Sequence, residues 1–130
     1  MEIKEQCQGL KAPILFWQTD DATLAMDVGG CGPGKWGDRL VSDTVYGVSI
    51  YPACAIHDWM YAQGTTLKDK ETADIWFLLN MLTLITRDWK SWSLLVLRGW
   101  RIMSYFLAVY IVGGKSYKKA IAKFSESTLT

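Results

Sequence analysis

Residues 52–63 read PACAIHDWMYAQ, a run with a helix signal at each end. Pro52 suits the first turn of a helix, where it has no N–H to lose, and Gly64 suits the position just past a helix end. The two bracket a helix over about 52–63. Within it His57 and Tyr61 are four apart and share one face, while Cys54 and Asp58 share another about 100° round. One helix therefore carries an imidazole and a phenol on one side, a thiol and a carboxylate on the other. A lone histidine in an amphipathic helix is usually a half-buried core residue; these neighbours shift the balance towards chemistry.

Upstream, residues 29–37 read GGCGPGKWG, five glycines and a proline that neither a helix nor a central strand tolerates. This is a loop whose backbone approaches something closely. Carbonyls from such a loop, together with the carboxylate of Asp58, make a hard-cation set that suits calcium better than magnesium, which demands a tighter octahedron. Zinc is a poor match, because one histidine and three scattered cysteines supply none of its usual ligand sets. The loop also lacks the GxxxxGK[ST] spacing of a phosphate loop, and the chain has no GxSxG elbow of a serine hydrolase.

Downstream, Thr66 and Asp69 resemble a capping box. The series Ala73, Phe77, Met81 with Leu78, Leu82, Ile85 predicts a second helix from about 67 to 86. A third helix is expected from a cap at Ser93 to Gly113-Gly114. Its apolar residues surround nearly the whole cylinder, which predicts packing on several sides. The stretch 94–112 approaches membrane-spanning length, but Arg98 and Arg101 would each cost about 2.5–3.5 kcal/mol at a helix centre in lipid, so a buried helix is expected. Trp76, Trp89, Trp92 and Trp100 are then core residues. Residues 1–28 hold no period long enough to decide between strand and helix, residues 38–50 read as irregular, and Ser116 to Phe124 as a short basic amphipathic piece.

The whole chain has 130 residues and a formal charge of +1, which fits one domain spanning 1–130 and removes the broad attraction that non-specific nucleic-acid binding needs. Three cysteines permit one bridge at most. The first residues, MEIKEQCQGLKAPILFW, lack the pattern of a signal peptide, so a cytoplasmic protein or one released by a non-classical or lytic route is expected.

CGPG at Cys31–Gly34 followed by ACAIHDWMY at Ala53–Tyr61 resembles the calcium loop and the CCxxHDxCY helix of the secreted phospholipase A2 superfamily, most closely its disulfide-poor viral and bacterial members. Ala73-Asp74 with Phe77 resembles the ADxxF element that holds the family's distant aspartate. The similarity covers roughly 29–81 and implies a mainly α fold with two antiparallel active-site helices and a glycine-rich calcium loop; the long C-terminal apolar helix is an addition. It implies calcium held by the carbonyls of Gly30, Gly32 and Gly34 and the carboxylate of Asp58, and a Cys31–Cys54 disulfide tying loop to helix. The implied reaction is hydrolysis of the sn-2 ester of glycerophospholipids. His57, oriented by Asp74, activates water, Tyr61 holds Asp74, and the Gly32 N–H with calcium stabilises the oxyanion. The implied partner is a phospholipid surface, met transiently, with Trp36 and Trp59 near the acyl chains. Lys115, Lys118, Lys119 and Lys123 suit either anionic headgroups or a solvated face. Ala53 replaces the first cysteine of the CC pair, Gly30 the tyrosine usual before the loop cysteine, and Lys35 to Ala53 is longer than in the venom and pancreatic enzymes. The rival is a non-catalytic protein of the same fold, a phage or toxin component, but retention of His57, Asp58, Tyr61 and Asp74 together favours the enzyme.

Overall fold

A computed structural model describes residues 2–28, 44–87 and 89–113. The glycine-rich segment with Gly30, Cys31, Gly32, Gly34 and Trp36, and the basic stretch from Ser116 to Phe124, lie outside the described residues. The described chain is mainly helical. Three short helices, α1 (Ile3–Gln6), α2 (Ile14–Gln18) and α3 (Asp21–Asp27), precede a two-stranded hairpin, β1 (Thr44–Val45) and β2 (Val48–Ser49). Then come α4 (Tyr51–Gln63), α5 (Leu67–Arg87) and α6 (Trp92–Ala108), with a π-helical turn over Val109–Gly113.

The helix expected over 52–63 is α4, with Pro52 in its first turn and Gly64 at its end. The chain reverses within Gly64–Thr66. Here Thr66 and Asp69 form a reciprocal capping box: the Asp69 N–H donates to Thr66 Oγ1 at 3.1 Å, and the Thr65 and Thr66 N–H groups donate to Asp69 Oδ2 at 3.0 and 3.1 Å. So short a link makes α5 run back antiparallel along α4, and this is the main packing contact of the molecule. Ala73, Phe77, Met81 and Ile85 are buried on that face, whereas Leu82, expected there, is 39% exposed.

The N-terminal residues form helices too short to print a period on the sequence. They matter as a cover: Phe16 and Leu24 are fully buried, and Phe16 meets Trp59 edge to face at 5.6 Å. Asn80, buried on α5, clamps the cover with two bonds to one residue, accepting from the Lys11 N–H at 2.7 Å and donating to its carbonyl at 2.8 Å. The segment read as irregular contains the hairpin. Its two-residue turn, Tyr46-Gly47, has φ of 46° and 86°, the left-handed pair that matches strand twist, and a tyrosine in that role carries little sequence signal.

Helix α6 departs most from expectation. Its cap is Ser91 rather than Ser93: Ser91 is extended and accepts the Leu94 N–H at 3.2 Å, whereas Ser93 already lies in the first turn. It is not packed on several sides. Only the face carrying Arg98, Ile102, Tyr105 and Val109 is buried, against α5 and the hairpin, and the opposite face is open. Trp89, Trp92 and Trp100, expected in the core, are 48%, 74% and 77% exposed, and Trp76 is only partly buried. Arg98 turns inward and donates to the Tyr46 carbonyl at 3.0 Å, so the helix spends a charged side chain on its packed face and leaves indoles outside.

Candidate functional site

The face of α4 bearing His57 and Tyr61 meets the face of α5 bearing Lys70, Asp74 and Phe77. Because α4 and α5 run antiparallel from a three-residue link, residues of similar distance from that link come level. His57 Nε2 stands 2.8 Å from Asp74 Oδ1, and the Tyr61 hydroxyl donates to the same oxygen at 2.5 Å. The other oxygen, Oδ2, takes the Lys70 ammonium. The imidazole is held between two rings, Tyr61 at 4.2 Å and Phe77 at 4.6 Å between centroids. His57, Lys70 and Asp74 are all buried.

The sequence expectation that His57, Tyr61 and Asp74 converge is met in these contacts. Lys70 was missed. It lies one helical turn before Asp74, and that i,i+4 pair was the available signal, but a lysine at that place reads as a solvated helix former. Instead its Nζ also donates to the Tyr110 carbonyl at 3.2 Å and lies 4.4 Å from the Tyr110 ring centre, which joins the site to the π-helical end of α6.

The electrostatics follow from these partners. Burial alone would push the Asp74 carboxyl up, but the hydrogen bonds from His57, Lys70 and Tyr61 outweigh it and hold the group below its ordinary value. Burial dominates at His57 and lowers the ring's pKa, against the raising effect of Asp74 and with the Lys70 charge adding to the decrease. An ionised carboxylate only accepts, so Nε2 carries the ring proton and Nδ1 keeps its lone pair. The arrangement is a neutral imidazole of fixed tautomer, backed by a charge that stabilises it once it takes a second proton.

Asp58 lies on the adjacent face of α4 and is partly buried. Among the described residues no cluster of three or more metal-ligating side chains exists. Of the calcium ligands that the resemblance implies, the Asp58 carboxylate lies among the described residues, and the three glycine carbonyls fall outside them. One carboxylate with backbone carbonyls is hard-cation chemistry, so the donor set fits calcium in kind. Cys54 is disulfide-bonded and Cys7 is free; Cys31, the expected partner of Cys54, lies outside the described residues.

Trp59 does not flank the histidine. It sits on the other side of α4, nearly buried, beside a groove of about 360 Å³ lined by Pro13, Leu15, Trp59, Met60, Gln63, Gly64, Asp69, Thr72 and Trp76. None of His57, Tyr61, Lys70 or Asp74 lines that groove, so it is not the mouth of the histidine site. No protein-family model, curated protein or solved structure matches the chain.

Proposed function

We propose that the chain is a calcium-dependent phospholipase A2-like hydrolase, cleaving the sn-2 ester of glycerophospholipids with water activated by His57. The observation that carries this is the buried His57–Asp74 pair, 2.8 Å apart with Tyr61 on the same carboxylate oxygen. It joins two positions seventeen residues apart, and a buried neutral histidine backed by a carboxylate is suited to general-base work.

His57 Nδ1 accepts a proton from a water molecule as its oxygen attacks the ester carbonyl. The imidazolium that forms donates through Nε2 to Asp74, whose charge Lys70 and Tyr61 hold in place. When the tetrahedral species collapses, the bond to the glycerol oxygen breaks and the Nδ1 proton passes to it. The products are a fatty acid and a lysophospholipid alcohol, with no acyl-enzyme. Gly30, Gly32 and Gly34 through their carbonyls and Asp58 through its carboxylate would hold calcium. Bound there, the ion supplies charge neutralisation at the substrate phosphate and at the developing oxyanion, to which the Gly32 N–H would also donate.

The test is release of fatty acid from mixed phospholipid vesicles with calcium and with chelator. Wild type is expected to hydrolyse only with calcium, and His57→Gln to lose about 10²–10⁴-fold, the usual general-base contribution. Undiminished hydrolysis by His57→Gln, or none by wild type on any phospholipid surface, would overturn the proposal.

A further inference from the structure

The open face of α6 is a continuous apolar stripe. Trp92, Val96, Trp100, Met103, Leu107 and Ile111 recur at three- and four-residue steps, and all are exposed, Val96 by 67%. Trp92–Ile111 is long and apolar enough, with a mean hydropathy of 1.4, to meet the length and composition of a membrane span, yet only 22% of that window is buried. A core helix with this composition would be mostly covered. A stripe about 28 Å long that no described residue covers is a surface suited to a partner.

Charge identifies the partner. Between Asp88 and Glu126 the sequence holds seven basic residues and no acidic one, so nearly all the acidic groups stand in the first 88 residues. Lys90, in the approach to α6, and Arg101, about 100° round the helix from Trp100, are both exposed beside the stripe, where a helix lying in an interface keeps its cations. Two copies joined through this stripe would bring these cations together with no acidic side chain on the helix to offset them. An anionic lipid surface offers both acyl chains for the stripe and phosphates for its edge, and tryptophan is the side chain that suits that boundary.

The opposite face fixes the orientation. Arg98, Ile102 and Tyr105 are buried against the domain, and the Arg98 guanidinium is bound to the Tyr46 carbonyl, so a spanning α6 would have to tear this face away. We propose that α6 lies in the plane of an anionic bilayer, with Trp92, Val96, Trp100 and Leu107 among the acyl chains while its packed face stays on the domain. The lipid partner is shared with the hydrolase proposal, but the residues are different and no catalytic step is involved.

The experiment is co-sedimentation of the full chain with vesicles of phosphatidylcholine containing 30 mol% phosphatidylglycerol, in chelator so that hydrolysis plays no part. Val96→Ser/Trp100→Ser/Leu107→Ser should bind about 100-fold more weakly, with the helical circular dichroism of wild type. Lys90→Glu/Arg101→Glu, which replaces two exposed side chains and loses one ring contact, the Arg101 guanidinium 5.8 Å from the centre of the Tyr105 ring, should keep the helical circular dichroism of wild type, bind those vesicles at least about 10-fold more weakly and bind pure phosphatidylcholine almost unchanged. Wild-type partitioning by both variants would overturn the proposal. So would a wild-type dimer that the triple variant dissolves without loss of vesicle binding, which would make a second copy the occupant. Retention of wild type on the vesicles through an alkaline carbonate wash would overturn the in-plane placement. Binding of this pattern without any hydrolysis by the calcium-loaded protein would support docking while removing the hydrolase proposal.

Discussion

Replacing Asp74 by asparagine should damage the fold more than a mere adjustment of histidine orientation would. The Asp74 carboxylate receives three donors, the His57 ring N–H, the Tyr61 hydroxyl and the Lys70 ammonium, with its side chain 1% exposed. The asparagine amide can still accept on one oxygen, but its NH₂ would face the Lys70 ammonium, donor against donor. Removing one partner of a buried ion pair costs about 3–5 kcal/mol, because the other charge stays buried without its counter-ion. Lys70→Met should cost less, about 1–3 kcal/mol, since Asp74 keeps two donors and the methionine fills much of the lysine's volume. In Lys70→Met/Asp74→Asn no stranded charge remains, and the double variant should be more stable than the sum of the singles predicts, by about 2 kcal/mol or more. Urea unfolding followed by circular dichroism, with chelator present, measures all four corners of the cycle. A coupling under about 0.5 kcal/mol, the level of additivity between distant sites, would refute the claim that Lys70 and Asp74 act as a buried pair.

Three further outcomes follow from the same structure. Asn80→Leu should lower stability by about 2–3 kcal/mol, because the N–H and carbonyl of Lys11 lose both partners together; an unchanged urea midpoint would contradict the clamp. His57 titrates below its ordinary 6.5 in the fold, so below about pH 6.5 the unfolded chain takes up a proton that the folded chain does not. Wild type should therefore lose stability as pH falls below that value, while His57→Gln shows a shallower slope. Asp74, depressed from 3.8, contributes only in a lower window: its stabilisation is present above that value and is lost as pH falls through the folded pKa. In calorimetric titration Asp58→Asn should weaken calcium binding strongly, with magnesium competing poorly; unchanged affinity would remove Asp58 from the ligand set.

The face of α4 that carries His57 and Tyr61 was legible because helix geometry translates spacing directly into position. Pro52 and Gly64 mark the ends of α4, Thr66 and Asp69 bond as a capping box, and the four-residue interval from His57 to Tyr61 puts both rings at one carboxylate. What stayed hidden depends on partners far off in the chain. Lys70 turns inward only because Asp74 and the Tyr110 carbonyl are both there to receive it. The tryptophans of α6 were misplaced because a helix apolar all round does not say which of its faces finds a neighbour. Helices of four to seven residues near the N-terminus are shorter than two turns and are shaped by the surface they cover.

The thiol of Cys7 sits under that cover, fully buried, with its Sγ 3.5 Å from the carbonyl of Pro52, two residues from disulfide-bonded Cys54. Burial pushes its pKa up to about 12, so at pH 7.5 only roughly one molecule in 30,000 carries the thiolate there. Disulfide exchange proceeds through the thiolate, and a chain with three cysteines always has one available to attack an existing bond. Here the spare sulfur is kept protonated within the core, beside the helix that carries the bonded one. The pairing is thus guarded against scrambling for as long as the N-terminal helices stay in place, and loosening them, rather than a change in ambient redox potential, is the event that would expose the chain to mispaired isomers.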